Sequence, residues 1–307
     1  MPQKFPFPVD PELTQIAMAY RNRAMIADMV LPIVPVGKKE FKYTVFHKDE
    51  RFTVPDTLVG RKSRVNEVEF GASEETASTR DYGLEDPIPQ DDIDHAGSRF
   101  NPVEQAVEAI QDLLALDREV RTANMVMNAA NYGAGNKTTL SKAWTDPTAD
   151  VIGDIHAAQD AVVYADVNVM TLSKQDWRIL STHPQIVKAV NRNSGDAGIV
   201  TRQAVADLFE LDEILVGQSR VNIARKGQPA NLQRVWSGGV HLQHRAQNIN
   251  SRNGLTFGFT AEYGDRVSGQ REDPDIGLRG GQRVRSGMSV VELITAADLG
   301  YLIQGVQ

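Results

Sequence analysis

At 307 residues the chain can bury the core of one large domain or two ordinary ones, and with 41% apolar and 24% charged residues its composition is globular, not disordered. A formal charge of −7 excludes a surface that is basic throughout, of the kind that grips nucleic acid by counterion release. The absence of cysteine excludes disulfides, thiolate zinc sites and a cysteine nucleophile.

The opening "MPQKFPFPVDPELTQ" has no apolar leader, and no stretch approaches the roughly 18 apolar residues of a membrane span. From Pro11 onward, Leu13, Ile16, Ala17 and Tyr20 recur at helical spacing until Pro32. The spacing predicts an N-terminal arm with a short helix, too thin to hold itself in place. Next, "EFKYTVFHK" puts Phe41, Tyr43 and Val45 on one face of a strand, and "TASTRDYGL" offers a second extended run with Tyr82 and Leu84 on one side. Between them lies a charged excursion, with Arg61, Lys62 and Arg64 near its middle and Glu67, Glu69, Glu74, Glu75, Asp81, Glu85 and Asp86 on the return. A lone two-stranded ribbon buries too little apolar surface to offset the ordering of its backbone, so support from another chain is expected.

The acidic run "DDIDHAGSRF" (91–100) has the composition of a hard-cation site. It lacks the glycine and the terminal Glu of an EF-hand loop, and reads as a solvated acidic surface leading into a helix. That helix starts at "NPVE": Asn101 is the N-cap, Pro102 the first helical residue, and Glu104 the capping-box partner. Val103, Ala106, Ile110, Leu113, Leu116, Val120, Ala123, Met127 and Ala130 then form one stripe. A helix of about thirty residues, roughly 45 Å long, is expected as the spine of a domain.

The remainder alternates. "DPTADVIGDIHAAQDAVVY" reads as a helix, "VNVMTLS" as a buried strand, and "SKQDWRILSTHPQIVKAV" as a helix capped by Ser173 with Asp176 three residues later. A helix capped by Thr201 and a strand "EILVG" complete an α/β unit. In the strand-rich tail, Phe257, Phe259, Ala261 and Tyr263 alternate, and "GMSVVELITAADLGYLI" is expected to close the chain as an apolar strand.

Other chemical candidates are weak. "NYGAGNKTTL" imitates a phosphate loop, but Asn136 replaces the glycine before Lys137 and the segment follows a helix, so a helix stop is the better reading. His241 and His244 of "HLQH" sit on an expected strand, where positions three apart face opposite sides. Arg266, Arg271, Arg279, Arg283 and Arg285 are mixed with Glu262, Asp265, Glu272, Asp273 and Asp275, which suggests an ion-paired interface loop. No serine occupies a G-x-S-x-G elbow. The residues support no catalytic, cofactor or metal site, and point to a protein that works by contact.

In order, the arm "PELTQIAMAYRNRAMIADMVLPIVPV", the charged hairpin, the helix opening "NPVEQAVEAI" and the unit "VIGDIHAAQDAV…VNVMTLSKQDWRILSTHPQIVKAV" resemble the tailed-phage major capsid proteins. The fold of that family, α+β, is named after the Hong Kong 97 phage. The resemblance implies an N-arm over 1–39, an extended β-hairpin loop over 40–90, and a peripheral domain with the spine helix over 91–147. An axial α/β domain over 148–235 and a β-rich return over 236–307, completing the axial and closing the peripheral domain, would follow. It implies no enzyme and no cofactor, but a virion protein whose copies form the pentamers and hexamers of an icosahedral shell. That shell would be assembled in the host bacterial cytoplasm and enclose double-stranded DNA without sequence-specific binding. In this family the hairpin lies over a neighbouring subunit, which makes Arg61, Lys62, Arg64, Glu67, Glu69, Glu74 and Glu75 candidate intersubunit contacts. Because the chain opens almost directly on the arm, a separate scaffolding protein is expected, with portal and decoration proteins as further partners. The alternative is an encapsulin-like cellular compartment of the same fold, enclosing a cargo enzyme.

Overall fold

The computed structural model describes residues 10, 13–14, 25–46, 54–61, 63–65, 67, 72–96, 100–191, 195, 197–225, 227–246 and 255–307. A short helix α1 (Ala27–Val30) leads into strand β1 (Ile33–Val36), and the chain then leaves along β2 (Glu40–Phe46) and returns along β3 (Ala72–Ser78). Thr79 marks the exit from this ribbon, after which β4 (Arg80–Pro89) joins a larger sheet. A one-turn helix α2 (Gln90–Asp94) precedes the long helix α3 (Pro102–Val126), and β5 (Lys137–Thr139) follows it. Then come α4 (Val151–Asp160), β6 (Val169–Ser173), α5 (Lys174–Thr182), α6 (Pro184–Asn191), α7 (Arg202–Leu208) and β7 (Glu213–Gly217). A small ribbon of β8 (Arg220–Asn222) and β9 (Leu232–Arg234) precedes β10 (Val240–Gln243), β11 (Gly258–Tyr263), β12 (Val267–Asp273), β13 (Gly281–Ile294) and β14 (Gly300–Gln304).

Two five-stranded sheets organise these elements. The first runs β1-β11-β13-β12, with β4 antiparallel along the opposite edge of β13; the second runs β5-β14-β10-β6-β7. The N-terminal half of α3 packs Val103, Val107, Ile110 and Leu114 against Ile88, Val284 and Val290 of the first sheet. Its C-terminal end places Ala123 and Val126 in the core of the second sheet, among Leu172, Leu242 and Leu302. One helix therefore joins both cores. Its start follows the cap reading, since Asn101 Oδ1 accepts from Val103 N at 3.0 Å and Asn101 Nδ2 donates to Glu104 Oε1 at 2.9 Å.

The buried stripe of α3 differs from the apolar stripe in the sequence. Leu113 is exposed and Leu116 and Val120 are half-buried, whereas Gln111, Arg118, Glu119 and Thr122 are buried. The helix has 25 residues and ends at Val126, so Met127 and Ala130 lie beyond it. Polar groups replace apolar ones where the helix bonds to the backbone of the segment before β1, to hydroxyls of the first sheet and to the flanks of the β8–β9 ribbon. Arg118 donates to Leu31 O (3.4 Å) and Thr260 Oγ1 (3.1 Å) and pairs with Asp28, while Gln111 donates to Ser286 Oγ. Glu119 receives Ile26 N (3.0 Å), Ala27 N (2.7 Å), Ser219 Oγ (3.0 Å) and Trp236 Nε1 (2.5 Å). Burial pushes its carboxyl up from the usual range, against the pull of these donors.

Four further expectations change. "SKQDWRILSTHPQIVKAV" forms two helices, α5 and α6, broken at His183 because Pro184 carries no amide hydrogen; Ser173 caps the first as expected, accepting from Asp176 N at 3.0 Å. "TASTRDYGL" is not one strand of the ribbon: β3 pairs with β2, while Tyr82 and Leu84 belong to β4 and face Met288 and Ser286 of β13. The closing segment is two strands in different sheets, β13 in the first and β14 in the second. The chain changes sheet where Thr295 N and Ala296 N both donate to Phe257 O, at 3.0 and 3.1 Å. Gly300 permits the crossing, since a Cβ there would lie 2.5 Å from the Phe257 ring. The arm, expected to lack a hold of its own, is anchored through its described residues: Asp10 N and Thr14 Oγ1 donate to Ser268 O, and Leu13 is buried beside Ile88.

His241 lies 4.7 Å from Phe257 and 5.8 Å from Tyr132, ring to ring, with neither nitrogen hydrogen-bonded. Burial holds its pKa down to about 3. Below about pH 6.5 the unfolded chain takes up a proton that the folded chain refuses, so stability falls as pH drops towards the folded value. Unfolding midpoints should therefore show about 2 kcal/mol lost between roughly pH 6.5 and 4.5 through this residue. His241→Leu should flatten that dependence, and equal slopes in the two proteins would refute the assignment. Glu119→Ala, which strands four buried donors, should cost about 3–5 kcal/mol in urea unfolding of the subunit. A loss below about 1 kcal/mol would show that water replaces the carboxylate.

Candidate intersubunit surface

The β2–β3 ribbon leaves the first sheet through the bend at residues 37–39 and returns at Thr79, whose amide donates to Lys39 O at 2.9 Å. Its base has a core within the same chain, where Tyr43, with Phe41 and Ala77, packs on Val34, Val36, Phe259 and Ala261. The expectation of a ribbon without support of its own thus fails at the root. Beyond the root the described residues behave differently. Val54, Leu58 and Val65 are 89%, 83% and 70% exposed, which is far from where aliphatic side chains settle when a fold can bury them.

The candidate contact residues fall into two groups. Arg61, Arg64 and Glu67 lie on the far part of the loop, exposed and without an ion-pair partner among the described residues; Lys62 and Glu69 lie outside the described residues. Glu74 and Glu75 are instead bonded across the ladder, Glu74 to Lys42 Nζ at 2.7 Å and Glu75 to Tyr43 OH at 2.5 Å. The hydrogen bond to Glu74 raises the Lys42 pKa. Burial, with the Glu75 carboxylate, pushes the Tyr43 phenol up to about 12. At the exit Lys39 pairs with Asp81 at 2.5 Å and lowers the carboxyl of Asp81.

At the end of β4 away from the ribbon exit, β4 and the start of α3 enclose an open groove of about 380 Å³, floored by Pro87, Ile88, Phe100 and Ala106 with Asp86 and Asp92 on its lining. Phe100 stays 51% exposed there. Above β4 the arginine tract is ion-paired, largely to Glu85, which the sequence showed only as one acidic residue on the return of the charged excursion and not as a partner of these arginines. Glu85 faces Arg271 (3.9 Å), Arg283 (3.7 Å) and Arg285 (3.0 Å), because β4 pairs with β13 in a register set only by the fold. Arg283 also pairs with Asp273 and Arg266 with Glu262. Those five arginines are thus tied within one subunit, Arg279 through Asp91 at 3.0 Å.

The remaining chemical candidates are occupied by structure. Asp91, Asp92, Asp94 and His95 sit on α2 and its C-terminus, with His95 Nδ1 against Asp91 O at 2.6 Å, and among the described residues no three metal-ligating side chains converge. Lys137 donates to Ala129 O at 2.8 Å and Asn136 to Gly300 O at 3.1 Å, so both side chains of the phosphate-loop imitation tie this turn to its surroundings. His244 lies just past the end of β10, with Nδ1 against Asp166 O at 2.7 Å. No described helix is long and apolar enough to cross a membrane.

No family model matches the sequence. Over 301 residues, spanning 97% of each chain, it is 52% identical to the major capsid protein of Pseudomonas phage JBD67. A phage-related protein from Bordetella bronchiseptica RB50 superposes with a TM-score of 0.77 at 23% identity, covering 98% of both chains. The capsid structure of the cyanophage P-SCSP1u gives 0.57 at 10% identity, over 98% of this chain and 92% of its own. With a fold of the Hong Kong 97 type, an α+β architecture in which an N-arm and an extended hairpin flank a spine helix and an α/β domain, the chain belongs to the phage major capsid proteins.

Proposed function

We propose that this protein is the repeating subunit of an icosahedral head of a tailed phage. Its copies close as hexamers and pentamers around double-stranded DNA, which they enclose without reading its sequence. The observation that carries this reading is the 52% identity over nearly the whole chain to a phage major capsid protein, which also favours a phage head over a cellular cargo compartment. The protein performs no catalysis and needs no cofactor in this role. Assembly takes place in the host cytoplasm with a separate scaffolding protein, and a portal and a decoration protein are further partners of the shell. The expected division into peripheral and axial parts belongs to the same proposal, taken by sheets: the first sheet, which includes β4 from the expected hairpin range, as the peripheral part, and the second, which includes β5 from the expected peripheral range, as the axial part.

The hairpin supplies the contact between copies. Arg61, Lys62 and Arg64, with Glu67 and Glu69 beside them, meet the adjacent chain, and Glu74 and Glu75 serve the contact by stiffening the ribbon that carries them. The groove between β4 and α3 is a suitable receiver. It offers apolar floor to Leu58 and Val65 and carboxylates Asp86 and Asp92 to the arginines. Heterologous contacts of this kind close into rings and shells when the rotation between neighbours closes.

Electron microscopy of purified protein, with and without scaffolding protein, should show hollow shells or capsomers. A 33.8-kDa species that stays monomeric at high concentration would overturn the proposal. Arg61→Glu with Arg64→Glu should abolish or strongly weaken assembly while shifting subunit stability by less than about 0.5 kcal/mol, since both side chains are exposed. Normal shells from that variant would remove these arginines from the contact.

A further inference from the structure

The β8–β9 ribbon stands apart from both sheets and carries an unusual charge pattern. Between Glu213 and the end of β9 the sequence holds Arg220, Arg225, Lys226 and Arg234 and no acidic residue, on a chain whose net charge is −7. Arg220 and Arg234 face each other in register, a placement that puts their Cβ atoms about 5 Å apart and, with like charges on both side chains, destabilises an isolated ribbon. Neither has an ion-pair partner among the described residues, and Ile223 and Leu232 are exposed beside them. The ribbon is nonetheless rooted firmly. Ser219 and Trp236, which flank its two strands, both donate to the buried Glu119 carboxylate, and Val235 N donates to Ser219 O at 3.1 Å.

The opposite end of the same sheet is acidic. The parallel strands β6 and β7 begin at Val169 and Glu213 and end at Ser173 and Gly217, so the basic ribbon leaves from their C-terminal end. At their N-terminal end lie Asp160 at the close of α4, Asp166, Glu210 and Asp212, all exposed. The ends of α4 and α7 meet there, with Gln159 donating to Phe209 O at 2.8 Å, and Asn168 donates to Asp212 at 3.1 Å. Arg245 is the ion-paired cation of this end and is spent on Glu213 at 2.9 Å. Val163 is 77% exposed in the same loop, an apolar counterpart for Ile223 and Leu232.

We infer that the β8–β9 ribbon docks on the acidic N-terminal end of β6 and β7 of the next copy, and that this head-to-tail electrostatic contact closes the capsomer ring. The inference rests on the shell reading above, whose partner and contact it specifies. A basic surface and an acidic surface at opposite ends of one rigid sheet cannot meet within a subunit. They meet between subunits related by rotation, which is the heterologous geometry that forms rings. The contact leaves charge complementarity to set register and encounter rate, and the apolar side chains to add buried area.

Two charge-reversed chains test it. The first carries R220E, R225E and R234E; the second carries D160K, D166K and E210K. Circular dichroism checks that both fold, and native mass spectrometry with negative-stain microscopy reads the rings. Each variant alone should lose capsomers, because its two ends carry the same sign. An equimolar mixture should recover hexamers but no pentamers, since two alternating chains close only even-numbered rings. Capsomers from the ribbon variant alone at wild-type yield and salt sensitivity would overturn the inference. So would wild-type assembly with loss only of duplex DNA retention, which would assign the ribbon to the nucleic acid, and so would folded variants that fail to recover on mixing. A wild-type chain that forms no capsomers at all would instead remove the shell reading itself, and this contact with it.

Discussion

The arrangement of the subunit depends on one buried carboxylate. A charge removed from water must be paired or fully hydrogen-bonded, and Glu119 meets that requirement only if chain segments at 26–27, 219 and 236 arrive together on the same side of α3. None of these donors is near Glu119 in sequence, so the requirement is tertiary. It fixes where the arm ends, where the β8–β9 ribbon is rooted and how the Trp236 ring lies over Gly217, where any Cβ would fall 2.2 Å from the indole. Arg118, one residue away, applies the same logic with opposite sign to Leu31 O, Thr260 and Asp28.

Packing turns this local demand into a rigid body. The first sheet and the second sheet have separate apolar cores, and α3 contributes to both. An entirely apolar stripe would have left its orientation about its own axis weakly specified, because aliphatic contacts are non-directional. Hydrogen bonds from Gln111, Arg118 and Glu119 specify it. A shell subunit needs that property more than it needs stability, since an error of a few degrees between projecting elements recurs at each copy around a ring.

The features legible in the sequence are those decided locally. The caps at Asn101, Ser173 and Thr201 were readable because a side-chain oxygen two or three residues before a free amide is a local geometry. The stripe of α3 was misassigned to Leu113, Leu116 and Val120 because hydrophobic periodicity cannot register a buried Glu or Arg whose partners lie a hundred residues away. The ribbon was placed correctly as an element, yet its returning strand was set too late. "ASEETAS" carries almost no apolar signal, and its pairing with β2 rests on backbone and on the Lys42–Glu74 and Tyr43–Glu75 contacts. The charges of the candidate surface were legible as charges. Which of them are satisfied within the subunit was not, since Glu85 gathers its arginines through a strand register that no local rule sets. The arrangement of elements along the chain carried the family resemblance because order survives where individual contacts are unreadable.

A subunit built to bind its own copies risks binding them without limit, and β4 shows how that outcome is restrained. Its ten residues pair with β13 along one edge and, among the described strands, with none along the other. A bare edge of that length is a template for strand addition, which propagates as a fibre and never closes. Here the edge is interrupted at Pro87 and Pro89, which have no amide hydrogen to offer, and carries Arg80, Asp81, Glu85 and Asp86 along the rest. Backbone pairing between copies is thereby penalised, while side-chain docking into the groove beside the same strand is left open. Side-chain contacts have a definite angle, and a definite angle repeated by identical copies is what allows an assembly to close on itself.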